Sequence, residues 1–107
     1  MKNINNGDQL LLILEALSNP YRLKIIAILQ KEKKYVSLLA RELGISRPLL
    51  YLHLQKLENA EIIKGYHEIS EDGKAMKYYE LIPFYLPLSE EFITDLAESI
   101  SIKKRKE

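Results

Sequence analysis

The sequence predicts a mainly α-helical fold with one small β-hairpin. Residues 37 to 63 form a pattern of two short helices that meet at Gly44, and the second helix has one side suited to exposure. Residues 62 to 81 then contain two β-rich runs around an Asp72-Gly73 turn, which is a strong local hairpin signal. Two short helices followed at once by a hairpin predict a winged helix-turn-helix fold, with helices α1 to α4, a wing hairpin and a C-terminal helix α5.

Capping and helix-breaking residues between positions 37 and 48 set the limits of the helix pair. Ser37 is expected to cap the first helix, which ends at Leu43, and Gly44 supplies the positive φ that a helix C-terminus commonly needs. Ser46 is expected to cap the second helix. That helix therefore starts at Arg47, with Pro48 in the first turn, where a missing N–H has no cost.

The second helix has two different sides at about 100° per residue. Its apolar side carries Leu50, His53, Leu54 and Leu57 and is predicted to be buried. Its other side bears tyrosine and glutamine and is flanked by Arg47, which suits a major groove, where Gln pairs with adenine and apolar groups meet thymine methyls. An ordinary amphipathic helix, or one that binds only protein, remains the alternative. The predicted DNA-binding residues of this helix are Ser46, Arg47, Pro48, Leu49, Tyr51, Leu52, Gln55 and Lys56.

Leu52 is the least expected residue on this side of the helix, and two interpretations stay open for it. It is either a contact for a thymine methyl group or part of a patch for another protein.

The hairpin carries two further candidate contacts. Lys74 and Lys77 flank its second strand and are predicted to touch phosphates beside the groove. Glu71 and Asp72 at the tip would be repelled there, so a solvated hairpin without DNA contact is the alternative.

The two ends of the chain predict a dimer interface. Asp8 is expected to cap a helix over residues 8–17 that is apolar nearly all round, and Ser89 to cap a last helix over 89–102. Together these helices have more apolar surface than one small domain can bury. The interface is predicted to contain Leu10, Leu11, Leu14, Phe92, Ile93, Leu96 and Ile100. Residues 103–107 form a basic tail that is expected to be solvated, with a phosphate contact as the alternative.

From Leu14 to Leu81 the chain resembles the ArsR-type winged-helix transcription regulators. The similarity rests on three segments in this order: ALSNPYRLKIIAIL at 16–29, LARELGISRPLLYLHLQKLENAEII at 39–63 and DGKAMKYYEL at 72–81. The resemblance implies a homodimeric repressor that binds an operator in double-stranded DNA and whose recognition helix starts at Ser46. It also implies a structural or phosphate-binding role for Arg22, for which a solvated helix charge is the alternative.

Metal-sensing members of this family differ from the chain at both of their usual sites. Where many of them carry paired cysteines, this chain has Tyr35, Val36 and Ser37. The last helix offers carboxylates but no histidine, so zinc or nickel would lack nitrogen donors there. His53 and His67 are the only histidines, and a lone histidine on an apolar face is more often a core residue than a ligand. The sequence predicts no metal and no cofactor.

Composition sets broader limits on function. The 107 residues predict a single domain, and 16 basic against 15 acidic residues give a net charge of +1, so DNA affinity must come from locally placed charge. The chain has no cysteine and no glycine-rich phosphate loop, and it has no serine with a plausible histidine and carboxylate to form a catalytic triad. The sequence therefore predicts that the protein is not an enzyme. Without an apolar run of about 18 residues, a cytoplasmic protein is expected. The alternatives are a protein-docking winged helix and a non-specific, chromatin-type DNA-binding protein. A small-molecule effector stays open: the apolar connector from Leu81 to Leu88, with Tyr85, either lines a pocket for it or packs in the core.

Overall fold

Four of the five helices between residues 4 and 102 begin at a side chain that caps the helix. The computed structural model describes this range. Asn6, Asn19, Ser46 and Ser89 each accept a hydrogen bond from a backbone N–H in the first turn that follows. The elements are α1 (Gly7–Leu17), α2 (Pro20–Lys31), β1 (Lys34–Tyr35), α3 (Val36–Leu43), α4 (Arg47–Asn59), β2 (Ile63–Ile69), β3 (Ala75–Leu81) and α5 (Glu90–Ala97).

Two of the predicted helix starts are wrong. Asn6 caps α1 in place of Asp8, which lies inside the first turn, where its carboxylate accepts hydrogen bonds from the backbone N–H and the hydroxyl of Ser101. Helix α3 begins at Val36, with Tyr35 at its N-cap and without a side-chain cap, so Ser37 is already helical. The cause is tertiary, because Tyr35 ends strand β1 and pairs with Tyr78 of β3.

The predicted limits of the helix-turn-helix unit are otherwise confirmed. Gly44 has a φ of 67° at the end of α3, and Ser46 accepts a hydrogen bond from Leu49 N–H at the start of α4. Helix α4 is the longest between residues 4 and 102, with 13 residues. No helix in this range is long and apolar enough to cross a lipid bilayer.

The predicted wing hairpin is confirmed, and it belongs to a three-stranded sheet. Strands β2 and β3 pair antiparallel from Ile63 opposite Leu81 to Ile69 opposite Ala75. Gly73 adopts a φ of 84° in the turn between them. The short strand β1 adds to the other edge of β3, which gives the order β1-β3-β2. We refer to the hairpin of β2 and β3 as the wing.

The core lies where α4 crosses the other helices and the base of the wing. The four α4 residues predicted to be buried are buried, with Leu50, Leu54 and Leu57 fully so. They pack with apolar side chains from every layer: Ile13 and Ala16 of α1, Ile25 and Leu29 of α2, Leu39 of α3, and Ile62, Ile63 and Tyr79 at the wing. This packing fixes which side of α4 remains accessible.

Helix α5 lies against α1 and is shorter than predicted. It ends at Ala97, because the residues that follow bond to the N-terminus of α1 instead of continuing the helix. The Ser99 hydroxyl accepts a hydrogen bond from Gly7 N–H at 2.6 Å and donates one to the Leu96 carbonyl at 2.8 Å. The basic tail at 103–107 lies outside the described residues.

Candidate nucleic-acid interface

The exposed side of α4 is the one that the sequence predicts. Ser46, Arg47, Pro48, Leu49, Tyr51, Leu52, Gln55 and Lys56 are all exposed. Leu52 is 61% exposed and Tyr51 46%. This side of α4 is therefore available to a partner.

A groove separates the N-terminal half of α4 from strand β3 of the wing. Its volume is about 240 Å³, and it brings Arg47 and Tyr51 of α4 to the same place as Lys77 of β3. Tyr35 and Met76 also line it, and neither is among the predicted site residues. Both reach the groove because β1 pairs with β3, and this pairing of distant segments is not visible in the local sequence pattern. We call this the wing groove; its lining residues are Tyr35, Val36, Ser37, Arg47, Tyr51, Ala75, Met76 and Lys77.

Lys77 is held in position by its neighbours in the wing. A Cβ atom at Gly65 would lie 2.8 Å from Lys77 Cε, so the glycine gives the lysine stem room to cross strand β2. The Lys77 ammonium lies 5.7 Å from the centroid of the Tyr79 ring. Tyr79 is itself buried, and burial followed by the nearby Glu58 carboxylate of α4 raises its pKa to about 12. The neutral phenol thus joins the base of the wing to α4.

Lys74 lies in the turn at the tip of the wing, outside the residues that line the wing groove. Ser70 closes this turn, since its hydroxyl accepts a hydrogen bond from Lys74 N–H at 3.1 Å. The same hydroxyl donates to the Asp72 carboxylate and, ahead of other causes, lowers the Asp72 pKa. The structure therefore separates the two predicted wing lysines: Lys77 is at the groove, and Lys74 is at the tip beside an ionised aspartate.

Within residues 4–102, the basic residues of the predicted interface form no ion pairs, a property that they share with Lys24, Lys31 and Arg41. Lys33, Lys34 and Lys64 each form ion pairs with glutamates. The four basic residues predicted to contact DNA are Arg47, Lys56, Lys74 and Lys77. Unpaired positive charge around one exposed helix is the local charge placement that a nearly neutral chain needs to attract phosphates.

Arg22 and His53 form a structural contact beneath the exposed helix. Arg22 donates hydrogen bonds to the Ala16 carbonyl at 2.6 Å and to the Glu15 carbonyl at 3.2 Å, and so binds the C-terminal end of α1. Its third contact is with His53 Nδ1, at 3.1 Å. The guanidinium can only donate, so His53 accepts on Nδ1. This geometry favours the structural role of Arg22 and accounts for His53 without a metal ion.

We expect the stability of the fold to fall below about pH 6.5, because His53 resists protonation in the folded state. Burial, and then the charge of Arg22, lower the His53 pKa from 6.5. The unfolded chain therefore takes up this proton first as the pH falls, and the slope from this group can reach about 1.4 kcal/mol per pH unit. Denaturation of the wild type and of His53→Gln between pH 5.5 and 8 measures the effect. The variant's stability should vary less with pH; equal slopes would contradict the assignment.

The predicted dimer residues are mostly accessible. Leu11 and Ile93 are 43% and 45% exposed, and no residue of α5 is buried. Leu14, Phe92, Leu96 and Ile100 are partly exposed. Leu10 does not fit the prediction, since it is buried in the chain's own core, and Leu12, which was not predicted, is 44% exposed instead. Several side chains of α1 thus point into the core. The apolar pattern of the helix alone does not show which of its sides faces inward.

Between residues 4 and 102, no three His, Asp or Glu side chains lie close enough together to hold a metal ion. The two histidines are in different settings, with His53 bonded to Arg22 inside the fold and His67 exposed on strand β2.

Comparison with known proteins places this geometry in a family. Residues 19–64, which hold α2, α3, α4 and the first residues of β2, match the family described as "Bacterial regulatory protein, arsR family". A protein of Methanocaldococcus jannaschii that is described as an uncharacterized HTH-type transcriptional regulator is 41% identical over 85 residues, which is 79% of this chain and 88% of that protein.

Two solved structures share the fold. One is a homodimeric winged helix-turn-helix DNA-binding domain from Mycobacterium bovis, described as a possible ArsR-family transcriptional regulator, with a TM-score of 0.62 and 24% identity over 69% of this chain and 64% of that chain. The other is the transcriptional repressor BigR from Xylella fastidiosa, with a TM-score of 0.59 and 25% identity over 70% of this chain and 71% of that chain. The winged helix-turn-helix fold predicted from the sequence is thereby confirmed. The chain belongs to the ArsR family of DNA-binding, helix-turn-helix transcriptional regulators, which are not enzymes.

Proposed function

We propose that the protein is a sequence-specific regulator that binds a palindromic operator as a homodimer, with α4 of each protomer in a major groove. The observation that carries the proposal is the wing groove, where Arg47 and Tyr51 of α4 meet Lys77 of the wing. A recognition helix and a wing that share one unpaired positive surface suit DNA, because the helix reads base edges while the wing contacts the flanking phosphates.

Each predicted contact has a chemical role in this proposal. Arg47, at the first position of α4, pairs with a guanine edge or a phosphate, since a guanidinium can bind two acceptors at once. Gln55, two turns further along the helix, suits adenine. Lys56, Lys74 and Lys77 contact phosphates and set the register, with Lys74 the weakest of the three because Asp72 lies beside it.

The homodimer is proposed to form through α1 and α5, in a single domain that spans residues 1–107. Leu11, Leu12 and Ile93 remain exposed on these two helices, and α5 buries none of its residues within one protomer. Covering them with a second copy removes apolar surface from water at about 25 cal/mol per Å². We expect sedimentation equilibrium at micromolar concentration to give a dimer, and a monomer would contradict this interface.

Repression is the proposed mode of action, with the bound dimer blocking a promoter. The similarity to a structure described as a transcriptional repressor supports it. We further propose that the protein acts in the cytoplasm and lacks the family's thiolate metal site, because Tyr35, Val36 and Ser37 occupy that place and line the wing groove instead.

Selection from a genomic DNA fragment library tests the proposal. The purified protein is mixed with the fragments at two salt concentrations, and the retained DNA is sequenced. We expect a palindromic motif that survives the higher salt, since base contacts persist when phosphate attraction weakens. Retention without a motif would indicate non-specific coating, and no retention would indicate a protein-docking domain; either result would contradict sequence-specific regulation.

A further inference from the structure

The exposed side of α4 is divided lengthwise into a polar row and a row that begins with two leucines. Arg47, Tyr51 and Gln55 follow one another at intervals of four residues, and the first two line the wing groove. Leu49, Leu52 and Lys56 form a second row, further from the wing. This second row borders His53, whose ring centroid lies 5.6 Å from that of Tyr21 on α2. The leucines thus occupy the α2 side of the recognition helix.

These two leucines are among the exposed large side chains of α4. Leu52 is 61% exposed and Leu49 38%. Two leucines form a small patch, whereas a stable protein interface covers about 800 Å² on each partner. Lys56 continues the row and Arg47 begins the neighbouring one, so the leucines share the exposed side of α4 with cations that have no ion-pair partner in residues 4–102. That setting matches a phosphate-lined groove better than an apolar protein surface.

The major groove of DNA offers one apolar group, the C5-methyl of thymine. We propose that Leu49 and Leu52 are specificity-determining residues that pack against thymine methyl groups, so that each half-site carries thymine at the base pairs on the α2 side of the recognition helix. The inference rests on the proposed function and extends it, because it assigns part of the sequence preference to apolar contact and not to hydrogen bonding.

Replacing thymine with deoxyuridine tests the inference, because deoxyuridine pairs in the same way and lacks only the methyl group. The probe is the duplex that the wild-type protein selects from genomic fragments, synthesised with each half-site thymine replaced in turn, symmetrically in both half-sites. Burying one methyl group changes affinity about fourfold, so two equivalent contacts predict a loss of about fifteenfold for the wild type at the sensitive position. At the position that Leu52 contacts, the Leu52→Ala variant should bind the thymine and deoxyuridine duplexes equally, and any position that Leu49 contacts should stay sensitive.

Two comparisons separate the inference from its alternatives. Leu88→Ala removes an exposed leucine outside α4 and should retain the full preference of the wild type for thymine. A selected motif whose affinity does not change with any deoxyuridine substitution would overturn the inference and leave the proposed function standing. An unchanged operator affinity in Leu52→Ala would assign the patch to a protein partner and also overturn the inference. Failure to select any motif would contradict the proposed function itself, and the inference with it.

Discussion

Replacing Gly7 with alanine is expected to separate the two protomers and to weaken operator binding by at least about a hundredfold. Gly7 is buried where α1 meets the end of α5. A Cβ atom at this position would overlap the Leu96 carbonyl oxygen and the Ile100 side chain. The carbonyl belongs to the backbone, so α5 cannot accommodate the added methyl by rotating a side chain.

The consequence is large because α5 has few other attachments. None of its residues is buried, and the segment after it is tied to α1 by the hydrogen bond from Gly7 N–H to Ser99 and by those from Ser101 to Asp8. A displaced α5 removes half of the proposed interface, and a protomer that binds alone loses the advantage of two linked half-sites.

Sedimentation equilibrium and fluorescence anisotropy with the selected operator measure the two effects of Gly7→Ala. Circular dichroism should show that most helical content is retained, since the core around α4 does not include Gly7. Gln30→Ala, at an exposed residue of α2, is the control and should remain a dimer with wild-type affinity. A dimeric Gly7→Ala protein with unchanged affinity would show that α1 and α5 do not form the interface.

Replacing Arg47 with alanine is expected to reduce operator affinity by about 1 to 3 kcal/mol for each protomer if the guanidinium reads a base. Arg47 is exposed at the start of α4, lines the wing groove and forms no ion pair within the described range. Its loss therefore leaves no buried charge behind, and the fold should keep its stability. The Arg47→Ala substitution should therefore change operator affinity and leave the free energy of unfolding unchanged.

The Arg47→Lys variant separates the two roles proposed for this residue. Lysine keeps the charge but not the planar fork, so a phosphate contact is largely retained and a bidentate base contact is lost. If Arg47 contacts a phosphate, the Arg47→Lys variant should recover most of the operator affinity that Arg47→Ala loses. If Arg47 contacts a base, the Arg47→Lys variant should still discriminate poorly between the operator and a mutated operator. Arg41→Ala, at an exposed arginine of α3 outside the predicted interface, is the matched control. Equal losses in Arg41→Ala and Arg47→Ala would contradict a specific role for Arg47.

Local signals account for the parts of the fold that the sequence predicts correctly. Gly44, Ser46 and Pro48 determine the turn and the start of α4 through their own backbone preferences, and Leu50, Leu54 and Leu57 mark the buried side by their spacing. The same information identifies the accessible side of α4, which is why the predicted recognition residues are all exposed.

The features that were missed depend on contacts between distant residues. Helix α3 starts at Val36 because Tyr35 pairs with Tyr78, and α5 ends at Ala97 where the next residues bond to α1, about 90 positions earlier in the chain. Tyr35 and Met76 reach the wing groove only through strand pairing. The sequence predicts Leu10 in the interface although it is buried, because α1 is apolar on several sides and its pattern does not show which side faces inward.

Methylation interference on the selected operator tests most directly the central claim, that two copies of α4 read successive major grooves. Methylation of guanine N7 adds a group in the major groove, where a recognition helix would clash with it. We predict two interfering clusters related by the dyad of the motif and separated by about 10 base pairs, which is about 34 Å along the duplex. Interference confined to one cluster, or none despite sequence-specific binding, would contradict the account.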